Sequence, residues 1–297
     1  MTQVSFIIVN YNTPELTLQC IRSIQEQTVD VSYEIIVMDN ASTDQSRYVL
    51  SGLEGVCVYF NEKNEGFGRA NNKGVALAGG DYLFFINSDA YLLNDAASIL
   101  YRFMEQEANH PVGVCGGDLF DAQGNRQVAF GNFPSLLQVI GDVGFRRFFP
   151  VYYQKRLALA KRNEKEENYR VPYLSGADWF MSRQLFLQTG GFDPDFFLYF
   201  EETEYAYRLK QRGYPSVLVP TAKLVHLEGQ SNRGKEVFNP GRYSLFEKSR
   251  QLFFRKRRGY WQAYLVKVLL SAQAAALALI KNDRTFWQKA QLVWKVK

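Results

Sequence analysis

The first hundred residues alternate short, continuously apolar runs with segments of helical periodicity, and this alternation restricts the fold more than any other feature. The apolar runs are VSFIIVN, YEIIVMDN, VCVYF and YLFFIN. A helical segment, TPELTLQCIRSIQEQ, joins the first two, with Thr13 as N-cap and Pro14 at the first helical position. Strands that are apolar throughout and joined by helices are buried on both faces, as in parallel sheets. We therefore predict an α/β fold with a mostly parallel central sheet flanked by helices.

Polar side chains gather where three of these predicted strands end, and we expect a ligand site there. In open α/β sheets, ligands bind beyond the carboxyl ends of the strands. A carboxylate at the end of a buried strand also needs a partner, because an unpaired buried charge is costly. A cation, a helix end or water would each serve as that partner. The polar residues at the three strand ends are Asn10, Tyr11, Asp39, Asn87, Ser88 and Asp89.

The net charge of +5 is the sum of a strongly basic tail and an acidic remainder of the chain. Residues 242–297 hold 13 Lys and Arg against 2 acidic residues, so this tail carries +11 and the remainder −6. The tail is helical in pattern and contains FFRKRRGYWQAYLVKVLL, in which basic and aromatic residues lie beside an apolar stretch. Such a segment favours an anionic surface as partner. A helix that packs on the domain with a solvated basic face is the alternative.

Three further features bear on the cellular compartment and on membrane association. The three cysteines, Cys20, Cys57 and Cys115, lie far apart and form no CxxC pair, which indicates small core residues in a reducing compartment. The N-terminal VSFIIV is too short for a signal peptide and lacks its charged flank, so we expect a first strand and no leader. The uncharged run over 268–280 has 13 residues, and a spanning helix needs about 20. We expect this run to be interfacial or part of a core.

Seven motifs occur in order along the chain: VSFIIVNYN, IIVMDNASTDQS, NEGFGRANNKG, FINSDA, YLSGADWFMSR, GGFDPDFFLYFEETEYAYRLKQRGY and HLEGQS. Together they resemble the family 2 glycosyltransferases, which use nucleotide sugars and have the GT-A fold. The similarity is greatest to the bacterial rhamnosyltransferases that build O-antigens and cell-wall glycans. It implies a GT-A domain over 1–241, with a Rossmann-like nucleotide-sugar half over 1–110 and an acceptor half over 111–241, followed by a helical extension over 242–297.

The resemblance implies a metal site at Asp89 and His226. Asp89 occupies the last position of the family's DxD motif, which holds Mg²⁺ or Mn²⁺ on the donor diphosphate, and His226 matches a late histidine that completes the metal shell in several members. The first Asp of the motif is Asn87 here, which removes one charge, although one carboxylate can suffice for a hard cation whose other ligands are phosphates and water. The alternatives are a turn aspartate and a half-buried histidine whose hydrogen bonds are satisfied.

The nucleotide-binding residues also follow from the resemblance. Asp39 accepts the N3–H of uracil or thymine, which does not distinguish these bases, and Asn10 and Tyr11 line the same pocket. Arg69 offers a fork to a phosphate, and Asn71 lies nearby. An Asx turn at Asp39 and a plain helix start after the glycine turn remain the alternatives.

The catalytic candidates begin a predicted amphipathic helix. The family has Glu-Asp here, with the Asp as general base; Glu202 takes that position and Glu201 is its neighbour. Burial and mutual repulsion are expected to raise the pKa of one of them. Helix-dipole stabilisation of acids in a first turn is the alternative. In the family, the segment that contains Asp178 and Trp179 borders the acceptor; a core tryptophan is the alternative.

These expectations combine into an inverting, metal-dependent glycosyltransferase. The donor is predicted to be dTDP-L-rhamnose, and the acceptor a glycan on polyprenyl diphosphate. The enzyme is expected in the cytoplasm, bound peripherally to the inner face of the plasma membrane, with no nucleic-acid partner. The alternatives are the same chemistry with a UDP-hexose, and a non-catalytic subunit that binds glycan or scaffolds a synthase.

Overall fold

The computed structural model describes residues 2–109, 111–157, 167–227 and 238–296. The strands in chain order are β1 Val4–Asn10, β2 Tyr33–Asp39, β3 Val56–Phe60, β4 Tyr82–Asn87, β5 Ala90–Leu92, β6 Val114–Phe120, β7 Phe130–Gly131, β8 Tyr169–Val171, β9 Tyr173–Leu174, β10 Asp178–Ser182 and β11 Ser216–His226. The helices are α1 Pro14–Gln27, α2 Ser46–Leu50, α3 Phe67–Leu77, α4 Ala96–Glu105, α5 Leu136–Asp142, α6 Pro150–Leu157, α7 Arg183–Thr189, α8 Glu201–Gln211, α9 Pro240–Arg257, α10 Tyr260–Lys281 and α11 Arg284–Lys295.

These elements form two compact units. The first unit contains the described residues of 2–131, 167–194 and 201–227, and the second contains those of 132–157, 195–200 and 238–296. All the strands lie in the first unit, whereas α5, α6, α9, α10 and α11 lie in the second.

The first unit is built on a nine-stranded sheet in the order β3-β2-β1-β4-β10-β6-β11-β5, with β8 also paired to β11. The four predicted strands, β1 to β4, are parallel to one another, as predicted. The sheet as a whole is mixed, because β10 runs antiparallel to β4 and β6, and both β5 and β8 run antiparallel to β11. The chain passes from β1 outward through β2 and β3 and returns to the other side of β1 as β4. This reversal is a topological switch point, where such sheets bind ligands.

The helices cover the sheet because the strands are apolar on both faces. Every residue of β1 is buried. Helix α3 packs on β1 and β2, and it approaches so closely at Gly74 that a Cβ there would lie 2.6 Å from Ile7 Cγ2. An aromatic cluster around Phe85, Trp179 and Tyr205 fills the core beneath α7 and α8.

Helices α9, α10 and α11 of the second unit pack on one another, and α10 also packs on α5. This agrees with the helical pattern predicted for the tail. Inside the unit, Glu247 is buried and ion-paired with Arg250, and Ser249 Oγ donates to the Leu198 carbonyl at 2.7 Å. Helix α10 has 22 residues and is long and apolar enough to cross a membrane by length and composition alone. It therefore extends well beyond the uncharged run over 268–280, and the length argument against a span no longer holds.

Candidate active site

One part of the candidate site lies at the carboxyl ends of β1 and β2, where Asn10 and Asp39 are register partners. Asn10 Nδ2 donates to Asp39 Oδ2 at 2.7 Å and to Ser42 Oγ at 3.1 Å, and the Ser42 backbone N–H donates to Asp39 Oδ1 at 3.1 Å. Asn10 and Asp39 are buried, whereas Tyr11 is exposed. The Asp39 carboxylate is thus fixed from two sides by short polar contacts. Ser42 was not among the site residues predicted from the sequence.

Asn40, next to Asp39, organises the following loop. Its Nδ2 donates to Asn64 Oδ1 at 2.9 Å, and its Oδ1 accepts from the Glu65 N–H at 3.0 Å and from Asn61 Nδ2 at 3.1 Å. These contacts hold the chain that leads into α3 against the end of β2. The cluster of Asn residues in NEKNEG is the sequence signal for this network, and it was not interpreted in that way.

Asp89 and His226 meet although 136 residues separate them along the chain. Strand β11 pairs with β5, with His226 opposite Ala90, and the Leu227 N–H donates to the Asp89 carbonyl at 2.8 Å. This pairing places His226 Nε2 3.4 Å from Asp89 Oδ1 and 3.3 Å from Asn87 Nδ2. Ser88 Oγ lies 3.1 Å from Thr13 Oγ1, which links the same turn to the start of α1. The rest of the HLEGQS motif lies outside the described residues.

The chemistry of these side chains fits a divalent cation. Asp89 supplies a hard carboxylate, His226 an imidazole nitrogen, and Asn87 an amide oxygen that is buried and makes no hydrogen bond to any described residue. Carboxylate and amide oxygens suit Mg²⁺ and Mn²⁺, and imidazole suits Mn²⁺. Within the described ranges, no group of three or more His, Cys, Asp and Glu side chains surrounds such a position. The donor diphosphate and water would therefore have to supply much of the metal shell.

The two candidate catalytic carboxylates begin α8 and differ in their surroundings. Glu201 is only 3% exposed, and burial together with the neighbouring Glu202 raises its pKa well above the usual range. The Glu202 side chain is partly exposed. Burial is the main cause that raises the pKa of Glu202, and hydrogen bonds, including one from Thr203 Oγ1 to its Oε1 at 3.1 Å, oppose the rise. The sequence predicted a raised pKa for one member of this pair, and the structure raises it for both.

One short segment connects Glu202 with the Asn87 turn. The Asn87 N–H donates to the Ala177 carbonyl at 3.0 Å. The preceding residue, Gly176, lies so close to Glu202 that a Cβ on the glycine would be 3.3 Å from Glu202 Cγ. Glu202 and Asn87 therefore contact two adjacent residues of one backbone segment, Gly176 and Ala177. Glycine at 176 keeps the room for the Glu202 side chain.

Two residues that were predicted to contact the acceptor, Trp179 and Asp178, are buried in the structure. Trp179 is 1% exposed, stacks near Tyr205 and donates from Nε1 to the Leu174 carbonyl, so it has no exposed ring face for a sugar and is a core residue. Asp178 is also buried; its Oδ2 accepts from the Gly117 N–H, and burial raises its pKa well above the usual range. The acceptor contact predicted for these two residues is therefore not supported by their burial.

The two predicted ligand residues of α3, Asn71 and Arg69, differ in exposure. Asn71 is buried and donates from Nδ2 to the Phe67 carbonyl of its own helix, which leaves no path to a phosphate. Arg69 is exposed, and its Nε donates to the Pro194 carbonyl at 2.6 Å, so one edge of its guanidinium already has a partner. Asn72 was not among the predicted site residues. It makes paired hydrogen bonds with the backbone of Phe192.

Two other proteins are similar to this chain in sequence. The chain is 35% identical over 111 residues to an uncharacterized glycosyltransferase of Rickettsia conorii, a match that covers 35% of this chain but only 18% of the relative. It is 27% identical over 257 residues to the N-acetylglucosaminyl-diphospho-decaprenol L-rhamnosyltransferase of Mycobacterium tuberculosis, covering 78% of each chain.

Solved structures show the same fold. The crystal structure of GalNAc-T7 with UDP, GalNAc and Mn²⁺ superposes with a TM-score of 0.60 at 19% identity, covering 86% of this chain and 51% of that one. At this identity the likeness concerns the GT-A fold alone. The sequence model of glycosyl transferase family 2 matches residues 5–189, more than half of the chain. The chain belongs to glycosyl transferase family 2.

Proposed function

We propose that the chain transfers L-rhamnose from dTDP-L-rhamnose to a hydroxyl of a glycan carried on polyprenyl diphosphate, with inversion at the anomeric carbon. The observation that carries the proposal is the meeting of Asp89, His226 and Asn87 at the switch point of the sheet, next to the segment that contacts Glu202. The similar mycobacterial protein, named for rhamnose transfer to a decaprenol-linked sugar, supports the choice of donor and acceptor.

Each group has a separate task in this reaction. Asp39, fixed by Asn10 and Ser42, accepts the N3–H of the base. Asp89 and His226, with the amide oxygen of Asn87, would hold Mg²⁺ or Mn²⁺. When bound, such a cation neutralises the negative charge that develops on the leaving diphosphate. Glu202 takes the proton of the acceptor hydroxyl as its oxygen attacks the anomeric carbon from the face opposite the diphosphate. One displacement with attack from behind inverts the centre.

The donor is the part of the proposal that needs the sharpest test, because Asp39 suits uracil as well as thymine. A screen should present dTDP-rhamnose, UDP-glucose, UDP-galactose and UDP-GlcNAc with a lipid-linked acceptor mimic and Mn²⁺, with products read by mass. We expect a mass increase of one deoxyhexose with dTDP-rhamnose alone. Transfer of a hexose or N-acetylhexosamine would replace the rhamnose assignment with the UDP-sugar alternative.

A non-catalytic role is the competing class of function, and the departures at Asn87 and Glu202 from the family pattern are the observations in its favour. Wild-type protein that binds nucleotide but neither transfers nor hydrolyses any donor in the screen would support it. The matched control is Glu202→Gln, which should bind nucleotide normally and lose transfer.

The membrane role of residues 242–297 also belongs to this proposal. Tyr260 and Trp261 at the start of α10 are exposed beside the basic end of α9, which suits the interface of an anionic membrane. Exchanging both aromatic residues for serine should weaken sedimentation with anionic vesicles. Unchanged sedimentation would restrict the tail to packing within the protein.

A further inference from the structure

The second unit exposes a run of aromatic and basic residues that the proposed transfer reaction does not use. This aromatic–basic segment comprises residues 145–156, FRRFFPVYYQKR, and contains a 3₁₀ turn over Phe145–Arg147 and most of α6. Every residue in it is exposed except Tyr153. Its most exposed apolar side chains are Phe148 at 77%, Val151 at 75% and Phe149 at 60%.

The segment is an ordered structure with an anchor. The Phe148 and Phe149 N–H groups donate to the Phe145 carbonyl, and the Tyr153 N–H donates to the Phe149 carbonyl at 3.1 Å. Tyr153 is 5% exposed and packs on α5, where a Cβ at Gly141 would lie 2.7 Å from its Cε1. Helix α5 is in turn held by α10, since Gln273 Nε2 donates to the Asp142 carbonyl at 2.9 Å. The exposed side chains are thus presented by a fixed backbone.

Contiguous exposed aromatic residues indicate a binding surface, because soluble proteins rarely leave such patches in water. Single exposed apolar side chains need no explanation, but here five large ones occur within eight residues. They are Phe145, Phe148, Phe149, Val151 and Tyr152.

The charge of the segment selects the kind of partner. It contains Arg146, Arg147, Lys155 and Arg156 and no acidic residue. Asp142, just outside, pairs with Arg146 at 3.2 Å. A two-fold contact between copies of this chain would bring the same patch opposite itself, and the basic groups would then repel one another. An anionic surface complements the charge, and a bilayer also accepts the Phe and Val side chains, which a purely polar anion does not.

We infer that the aromatic–basic segment binds the surface of an anionic phospholipid bilayer, with Phe148, Phe149 and Val151 in the interfacial layer and the Arg and Lys side chains at the phosphates. The inference adds a membrane contact distinct from the tail, and it rests on the proposed function only in that a lipid-linked acceptor brings the enzyme to a membrane. Basic residues strengthen binding by about fivefold each near an anionic leaflet.

The test compares full-length variants by co-sedimentation with vesicles of phosphatidylcholine, with and without phosphatidylglycerol. We expect the wild type to bind the anionic vesicles and not the neutral ones. Phe148→Ser with Phe149→Ser should weaken binding by about tenfold or more. Arg147→Gln with Lys155→Gln and Arg156→Gln should also weaken it and reduce its salt dependence. The matched control is Tyr48→Ser, which removes a highly exposed aromatic residue of the first unit and should leave binding unchanged.

Three results would overturn the inference. Wild-type binding by the Phe148/Phe149 variant would do so, as would a wild-type dimer in solution that this variant converts to monomer. Tighter binding of the wild type to a single-stranded oligonucleotide than to anionic vesicles, lost in the same variant, would identify a nucleic-acid surface instead. Transfer to a water-soluble acceptor fragment separates the two proposals. A variant that keeps this transfer is folded, and its vesicle binding then reports on the segment alone.

Discussion

Replacing each of the two glutamates that begin α8 with glutamine should separate their roles. Glu201 is 3% exposed, and its Oε2 has no hydrogen-bond partner among the described residues. Burial and the nearby Glu202 raise the pKa of Glu201 well above the usual range. With so little of its side chain exposed, Glu201 does not reach an acceptor hydroxyl. The Glu202 side chain is partly exposed, and it is therefore the member of the pair that can reach an acceptor hydroxyl as base.

The expected magnitudes differ accordingly. A positioned general base contributes about 100-fold to 10,000-fold, so Glu202→Gln should reduce kcat by at least about 100-fold. Glu201→Gln replaces a buried carboxyl with an amide of the same shape and should keep most of the rate. The assay is the initial rate of nucleotide diphosphate release in the presence of acceptor, with nucleotide affinity measured separately. A loss in Glu201→Gln as large as that in Glu202→Gln would refute the assignment.

The same carboxyl predicts how stability depends on pH. The folded-state pKa of Glu201 is raised above the unfolded value, so its contribution to stability is complete below about pH 4 and is lost as pH rises towards the folded pKa. Within that window the loss is about 1.4 kcal/mol per pH unit. The Tm of Glu201→Gln relative to wild type should therefore increase with pH. A Tm difference that stays constant across this range would show that Glu201 does not change its pKa on folding.

Three further changes test the site and its support. Asn87→Asp should increase the affinity for Mn²⁺ in nucleotide-binding titrations, because it adds a carboxylate beside His226; unchanged affinity would place residue 87 outside the metal shell. Gly116→Ala should cost about 1–3 kcal/mol in denaturation experiments, since the new Cβ would lie 2.6 Å from the Asp178 carbonyl oxygen. Gly79→Ala, where the nearest atom is 3.5 Å away, is its control. Asp178→Asn should leave transfer unchanged and raise the Tm at alkaline pH, whereas a loss of transfer in a folded variant would restore its acceptor role.

The strands of the parallel half of the sheet were predictable, because a short run of consecutive residues specifies each of them. Each of the runs VSFIIVN and YLFFIN is long enough for one buried strand, and the structure has strands at Val4–Asn10 and Tyr82–Asn87. The position of β10 between β4 and β6 was not predictable in this way, since it depends on antiparallel pairing between residues about a hundred positions apart. No periodicity in a single strand specifies which neighbour it takes.

The site shows the same division between local and distant information. Local pattern identified Asp39 and Asp89 as polar ends of apolar strands, and family resemblance alone connected Asp89 with His226. Burial explains the remaining differences. The residue types of Trp179 and Asn71 suit ligand contacts, but both side chains are buried. Trp179 lies in the aromatic cluster, and Asn71 lies on the inner face of α3. Tertiary packing, which the pattern of one chain does not encode residue by residue, decides whether such a side chain reaches solvent.

The Asn87 amide contributes hydrogen bonding to the candidate metal site, which has one carboxylate fewer than the family's DxD motif. Two carboxylates at positions 87 and 89 would repel each other without a cation between them. Asn87 instead lies with Nδ2 3.3 Å from His226 Nε2, and Asp89 Oδ1 lies 3.4 Å from the same nitrogen. A proton on Nε2 favours the contact with Asp89, whereas an unprotonated Nε2 accepts a hydrogen bond from Asn87. Only the second form has a lone pair that a metal could use, and a bound cation would take that lone pair in place of the hydrogen bond from Asn87.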